Sequence, residues 1–447
     1  MTASKQLLIS KYTLFIPRDD GTYVVANTLS GAILHIDEQP FLDKLKKFLD
    51  KDSHYVFDYD KDDEMHQVFY EHGIFAETGV NEYEMALYQY EQTILKSNVL
   101  SLTLLPTRQC NFRCVYCYED LQDKYMTDSV YRNLLTYIDK SLEKNLHSAV
   151  QINLFGGEPF LPFDKVIAFL KQAKEICKNH DVPFTASATT NFSLVTPERF
   201  DALATVNCEF FQITLDGLAL THDARKCKAD GSPSFETIVS NLLYAKSTGH
   251  DFKITIRSNF DEEMTTHAKD FYSFIKENFN DPRFSVSYIN MQKWGGQNDS
   301  NLNILTNENL VESKIQIAKI VASLELKNEM KNVFSQPFHS LCYASKPNMF
   351  IIDYDGAILK CTLKLDDDFN KIGQVEEEGV FNILHQKHAP WVVRYNFLND
   401  KCEECNILPI CFGGLCPLGK VQGKQQECNK KEQQANVYNQ FKYSVGM

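Results

Sequence analysis

Leu100-Ser101-Leu102-Thr103-Leu104-Leu105 runs, after a short turn, into Cys110-Asn111-Phe112-Arg113-Cys114-Val115-Tyr116-Cys117. The apolar run has the length of a buried strand, and the cysteines stand where such a strand hands over to a loop. The same rhythm recurs downstream. Apolar runs at Val150 to Leu154, Phe184 to Ala188, Phe210 to Leu215, Ile254 to Ser258 and Phe284 to Ile289 alternate with helical stretches. One such helix carries Phe235, Ile238, Val239, Leu242 and Leu243 on a single face behind Ser234, a residue suited to cap it. Alternating βα units build a parallel sheet or barrel. The expected class is α/β, a partial (β/α)6 barrel whose functional loops lie at the C-terminal ends of its strands.

The flanks read differently. Alternating segments at Tyr12 to Ile16, Tyr23 to Ala26 and Ala32 to Ile36, separated by Asp20-Gly21 and Ser30-Gly31, predict a small antiparallel sheet. Helical spacing follows in Phe41, Leu45, Phe48 and Leu49, then in Met65, Val68 and Phe69 up to Gly73, and Glu82 to Gln92 reads as a connecting helix. This is a winged-helix-like α+β module. A helix is predicted over Asn307 to Asn332, and from Cys342 the chain becomes rich in cysteine, glycine, proline and aspartate, as a small metal-held domain would. The expected division is 1–90, a TIM-like barrel over 91–310, and 311–447.

Composition narrows the function. A net charge of −13 argues against a nucleic-acid partner. The start offers no signal-peptide core and no later run approaches a membrane span, so the expectation is a cytoplasmic protein without a membrane partner. In a reducing compartment the 13 cysteines point to metal or redox chemistry and not to disulfides. They fall into two groups, three within Cys110 to Cys117 and seven from Cys342 to Cys428. Three thiolates on a four-iron cubane leave one iron open for a further ligand; a zinc knuckle is the alternative. Cys177, Cys208 and Cys227 stand outside both groups and read as ordinary thiols.

The C-x-x-x-C-x-x-C triplet, with Tyr116 before its third cysteine, resembles the signature of the radical S-adenosylmethionine superfamily. The resemblance implies a catalytic cluster on Cys110, Cys114 and Cys117, with Tyr116 near the adenine of S-adenosylmethionine. Later loops continue the likeness: Gly156-Gly157-Glu158-Pro159, Thr189-Thr190-Asn191, Thr214-Leu215-Asp216-Gly217 and His222-Asp223-Ala224-Arg225. In these, Gly156, Gly157, Glu158, Asn191, Thr214 and Arg225 are the implied cofactor contacts, with Glu158 accepting from the amino group and Arg225 clasping the carboxylate. His222 and Asp223 read as loop-positioning residues, and no catalytic side chain is assigned.

Cys342, Cys361, Cys402-x-x-Cys405, Cys411, Cys416 and Cys428 resemble the SPASM extension of peptide-modifying radical enzymes, which binds two auxiliary four-iron clusters. That likeness assigns Cys402, Cys405, Cys411 and Cys428 to one cluster and Cys342, Cys361 and Cys416 to the other, giving three clusters in all. The gap between Cys411 and Cys416 holds four residues where the pattern has three. The N-terminal module resembles the recognition element fused to enzymes that mature ribosomally made peptides, and it is expected to be separable from the clusters. Together these imply a maturase acting on a leader-bearing precursor peptide, reduced by a flavodoxin- or ferredoxin-type donor, and most simply forming a cysteine thioether. Carbon–carbon crosslinking and epimerisation are alternatives. Sulfatase maturation is disfavoured because Thr362 stands where that family has an aspartate. A zinc-stabilised peptide-binding protein is the non-enzymatic alternative.

Overall fold

The computed structural model describes residues 5–51, 55–329, 336–338, 341–414, 416–424, 428, 434–435, 437–439 and 441–442. They divide into two compact units, each described by itself.

The first unit holds residues 1–97, 330–347 and 390–447. Its chain runs β1 (Gln6–Ile9), β2 (Thr13–Pro17), β3 (Tyr23–Asn27), β4 (Ile33–Ile36), α1 (Gln39–Leu49), β5 (Phe57–Asp58), α2 (Glu64–Glu71), β6 (Phe75–Glu77) and α3 (Glu82–Tyr90). β2, β3 and β4 form the expected antiparallel sheet, and Gly21 (φ +85°) and Gly31 (φ +77°) turn its corners in the left-handed region that glycine favours. A second sheet, ordered β5-β1-β6, was not foreseen, because strands of two to four residues give no periodicity to read. One core of this unit joins Tyr12, Leu14, Val24, Ala86 and Tyr90 to Cys402, Cys405, Leu408, Ile410 and Phe412. The N-terminal module therefore shares its interior with the C-terminal cysteine segment.

The second unit, residues 98–329 and 348–389, is built on one sheet. Strands β7 (Val99–Leu104), β8 (Ala149–Leu154), β9 (Phe184–Thr190), β10 (Cys208–Thr214), β11 (Lys253–Phe260) and β12 (Phe284–Asn290) are parallel and adjacent in chain order, as the βα rhythm predicts. Helices α4 (Asp128–Glu143), α5 (Phe163–Asn179), α6 (Pro197–Ala204), α7 (Ala219–Arg225), α8 (Phe235–Ser247), α9 (Glu262–Thr266) and α10 (Ala268–Phe279) connect them, and α11 (Asn307–Ser323) follows. The sheet is a partial barrel. It continues beyond β7 through β13 (Met349–Ile352), parallel to β7, and the antiparallel β14 (Ala357–Leu359), β15 (Lys371–Val375) and β16 (Phe381–Ile383).

Two local expectations change. α11 ends at Ser323; Glu325 turns left-handed (φ 52°) and the chain returns beside β12, Lys327 O accepting from Val286 N at 2.8 Å, while Asn332, the expected end, lies outside the described residues. Ser234 occupies the N-cap of α8 but does not cap it with its side chain. Its hydroxyl donates to Lys226 O at 2.7 Å, while the Asp223 carboxylate accepts from Ser234 N and Phe235 N at 2.7 and 2.9 Å. An anion reaching from the preceding helix, α7, serves these N-terminal helix amides better than the neutral hydroxyl.

Candidate active site at the cysteine loop

The loop after β7 is held from two sides. Gln109 O accepts from Glu158 N at 2.9 Å and Thr107 O from Gly157 N at 3.3 Å, locking it to the loop after β8. The glycines are required there: a Cβ on Gly157 would lie 2.1 Å from Gln109 O, and one on Gly156 (φ +104°) 2.6 Å from Thr107 O. On the other side Val115 N donates to Arg225 O (3.0 Å), Arg113 N to Cys227 O (2.9 Å) and Ala229 N to Asn111 O (2.8 Å). The cysteine loop is thus one edge of a small ribbon whose other edge is residues 225–229. That pairing joins segments a hundred positions apart and leaves no trace in local sequence.

The side chains form one hydrogen-bonded set. Glu158, buried, accepts from Thr190 Oγ1 and Asn191 N at 2.8 Å each and from Phe160 N at 3.1 Å; burial nevertheless holds its carboxyl above the ordinary range. Here it anchors the loops after β8 and β9. Asn191 donates to Asn111 Oδ1 at 2.8 Å and accepts from Ser193 N and Oγ at 2.9 and 2.7 Å. The Tyr116 hydroxyl donates to Asp216, whose other oxygen accepts from Asn259 N at 2.7 Å. Thr214 closes β10, opposite Arg257. His222 accepts from Asp216 N at 3.2 Å and meets Ser234 Oγ at 3.1 Å; burial depresses its pKa to about 3, so it is a neutral brace.

Arg225 is 6% exposed, and its Nη2 makes 2.8 Å contacts with Asp261 and Glu263. Its Nη1 is buried and has no partner. A guanidinium nitrogen left bare in the interior costs free energy unless an acceptor arrives, so this atom is shaped for an incoming anion. The site residue that sequence reading missed is Lys226, whose Nζ lies 3.7 Å from Cys114 Sγ. Burial alone would lower its pKa, but Cys114 and Asp216 outweigh it and the lysine stays charged. The thiols are pushed up by burial, Cys117 to about 11, which favours deprotonation by a metal over free thiolate.

The other cysteines divide between the units. Cys361, buried, follows β14, and Asn370 binds its loop on both faces: Oδ1 accepts from Lys360 N and Cys361 N at 3.0 and 2.8 Å, Nδ2 donates to Cys361 O and Lys364 O at 2.8 and 2.7 Å. In the first unit Cys402 and Cys405 are buried, and Cys411, pushed up to about 11 by burial, also feels Cys405, Cys402 and Cys428. Cys342 is half-buried, and Cys416 and Cys428 are exposed. The four-residue gap after Cys411 opens with three left-handed residues, Phe412 (φ 41°), Gly413 (φ 76°) and Gly414 (φ 126°). Buried Arg394 donates to the carbonyls of Phe412, at 3.1 Å, and Gly414. Among the described residues no three His, Cys, Asp or Glu side chains converge on a single-ion site; a cubane carries its thiolates on separate irons and does not require that.

Residues 104–268 match the model of the radical SAM superfamily. The chain carries a radical SAM domain. Over 95% of its length, and 92% of the relative's, it is 24% identical to the radical SAM cyclopropyl synthase TigE of Paramaledivibacter caminithermalis. Among solved structures, anSMEcpe with bound AdoMet and the Kp18Cys peptide matches at a TM-score of 0.60, with 15% identity, 77% of this chain and 96% of that one covered. SuiB of Streptococcus suis, bound to the precursor peptide SuiA, matches at 0.51 with 16% identity, covering 91% of this chain and 95% of that one.

A radical SAM domain implies one four-iron cluster and S-adenosylmethionine, and the residues here fit both. Cys110, Cys114 and Cys117 supply a soft thiolate set on one pinned loop, and Arg225 Nη1 is an orphaned donor suited to a carboxylate. Among the described residues no helix is long and apolar enough to cross a membrane.

Proposed function

We propose that this chain is a radical SAM maturase that modifies a ribosomally made peptide by abstracting a hydrogen atom from it. The observation that carries this reading is the unpartnered Arg225 Nη1 in the unit that also holds the pinned three-cysteine loop. When bound, the cluster and cofactor supply a one-electron cleavage of the sulfonium that yields a hydrogen-abstracting carbon radical. This chain's residues bind and orient. Cys110, Cys114 and Cys117 hold the cluster, Arg225 takes the carboxylate, and Glu158 and Asn191 fix the loops that face the cofactor. Tyr116 and Asp216 brace the cysteine loop from beneath.

A peptide substrate is supported by the peptide-bound relatives, and by a groove of about 790 Å³ in the first unit, bordered by β6 and α3 and lined by Phe75, Val80, Met85 and Tyr88. β6 pairs with β1 on one side, so its other edge could add a strand from an extended leader. Auxiliary clusters remain part of the proposal, one of them on Cys402, Cys405, Cys411 and Cys428, of which Cys411 feels the other three electrostatically; the other rests on the cysteine pattern. So does reduction by a flavodoxin- or ferredoxin-type donor. For the bond formed, the thioether reading rests on the SPASM-like cysteines, while the cyclopropyl synthase relative favours a carbon–carbon closure.

Anaerobically reconstituted enzyme, given S-adenosylmethionine and a reductant, is expected to release 5'-deoxyadenosine and, with its precursor peptide, a product lighter by two hydrogens. Alkylation then separates the two bonds, since a thioether removes a free thiol and a carbon–carbon bond does not. Absence of 5'-deoxyadenosine from iron-replete enzyme would overturn the proposal.

A further inference from the structure

Lys226 turns its ammonium into the interior. The residue is 6% exposed, and Nζ lies 3.7 Å from Cys114 Sγ, 5.7 Å from the Phe112 ring centre and 6.0 Å from that of Tyr116. Its backbone is fixed at both ends, Lys226 N donating to His222 O at 2.8 Å and Lys226 O accepting from Ser234 Oγ at 2.7 Å. The ammonium is thereby placed in the interior beside the cysteine loop. Desolvating an ammonium costs several kcal/mol unless anions surround it. The anionic or potentially anionic groups within range include Asp216, Glu158 and the thiols of Cys114, Cys110 and Cys117. Arg225, next in sequence, gives its Nη2 to Asp261 and Glu263, so Lys226 is the cation of the pair that lies against a cysteine thiol.

We propose that Lys226 is a positioning residue for the catalytic cluster: a fixed positive charge beside Cys114 that balances the three thiolates and raises the cluster's reduction potential. The inference rests on the reading of the triplet as the cluster site. A cubane gains one unit of negative charge on taking an electron, so a buried ammonium beside one of its thiolates stabilises the reduced form more than the oxidised one. An N–H directed at a ligand sulfur acts in the same direction. The benefit to the reaction is at the electron-entry step, since a cluster that is easier to reduce is loaded by a weaker donor.

The test compares holoenzyme carrying Lys226→Met, Lys226→Gln and Lys226→Arg with the unaltered protein. Iron and sulfide per chain are measured, followed by a redox titration of the paramagnetic signal that is missing when Cys110, Cys114 and Cys117 are all alanine. Both neutral variants are expected to show, at a fixed donor potential, a reduced-to-oxidised ratio at least about tenfold lower, equivalent to about 59 mV for a one-electron couple. Lys226→Arg should stay within about threefold. Loss of that iron from the neutral variants with retention in Lys226→Arg would equally support charge balancing. Neutral variants with full iron and unaltered potential would overturn the inference, as would loss of the cluster from all three. An unaltered protein lacking the signal altogether would overturn the triplet reading itself, which distinguishes the two failures.

Discussion

The loop from Cys110 to Cys117 and the segment from Cys402 to Gly414 both present thiols from irregular backbone, yet different forces fix them. The first is bound by backbone pairing to residues 225–229 and by buried polar groups, Lys226, Asp216 and Glu158. The second is packed. Phe412 stacks on Tyr90 at 3.9 Å between ring centres and meets Phe338 edge-on at 5.7 Å, in a core that reaches back to β2 and β3. Polar fixation suits a loop that must also receive a charged cofactor, because its donors and acceptors can be shared with that cofactor. Apolar packing suits a site whose ligands need only be held still.

The largest effect expected from this contrast is at the first loop. Replacing Cys110, Cys114 and Cys117 by alanine should abolish 5'-deoxyadenosine formation while leaving the circular dichroism of the folded chain intact, since the ribbon is made by backbone and not by thiols. Undiminished cofactor cleavage in that variant would remove the site from this loop.

The packed segment is vulnerable to a different change. Phe412→Ala should destabilise the first unit by about 3–5 kcal/mol, the usual cost of deleting a buried ring. It should release iron bound at the C-terminal cysteines while sparing the signal of the Cys110 loop. Parallel loss of both signals would break the comparison. The shared core also bears on any truncation of the N-terminal module. Deleting residues 1–90 removes Tyr12, Leu14, Val24 and Tyr90 from the interior that covers Cys402 and Cys405, so such a truncation reports on stability as well as on peptide binding.

Why the barrel was legible and the site only partly so follows from the same physics. Strands β8 to β11 bury largely apolar residues at alternate positions and β7 is buried along most of its length, so each shows a short apolar period, and the six segments read from sequence fall within about two residues of the observed strands. β13 to β16 have three to five residues each and are folded by contact with β7 and α4, where Phe381 stacks on Tyr137 at 3.6 Å. Their sequence carries no period. Within the site, cysteines and glycines announce themselves by type and spacing, whereas Lys226 resembles any surface lysine until the fold turns it inward. Glu158 reads from its motif as a ligand to the cofactor; the structure adds its contacts with Thr190, Asn191 and Phe160, which no motif announces.

Arg225 sharpens the polar side of the contrast. Arg225→Lys keeps a positive charge but loses the fork, and should weaken S-adenosylmethionine binding about tenfold, while Arg225→Ala should approach a hundredfold, roughly 1.5–3 kcal/mol for a charge-assisted bond. Equilibrium binding to reconstituted enzyme measures both. Equal affinities across the series would leave Arg225 as the partner of Asp261 and Glu263 alone.

The smallest effect concerns His222, which braces the polar loop as a neutral ring between Asp216 N and Ser234 Oγ. Its folded pKa, about 3, lies below the ordinary value of 6.5, chiefly because burial opposes the charged form. The unfolded chain therefore binds the extra proton over that interval, and the stability that the neutral ring contributes is complete above about pH 6.5 and declines as pH falls toward the folded value. Between pH 7.5 and 5.0 the loss amounts to up to about 2 kcal/mol from this one group, at 1.36 kcal/mol per unit of displaced titration. Exposed carboxylates are still largely ionised in that window, and buried groups that do titrate there, such as Glu119, raised to about 7 by burial, are common to both proteins and cancel in the comparison. His222→Gln, which does not titrate, should accordingly cost less stability at pH 5.0 than at pH 7.5 when both proteins are unfolded in urea. Phe412→Ala should cost the same at both pH values. If the His222→Gln cost did not change with pH, the ring would not be held neutral, and the cysteine loop would owe its fixation to the backbone ribbon without the brace beneath it.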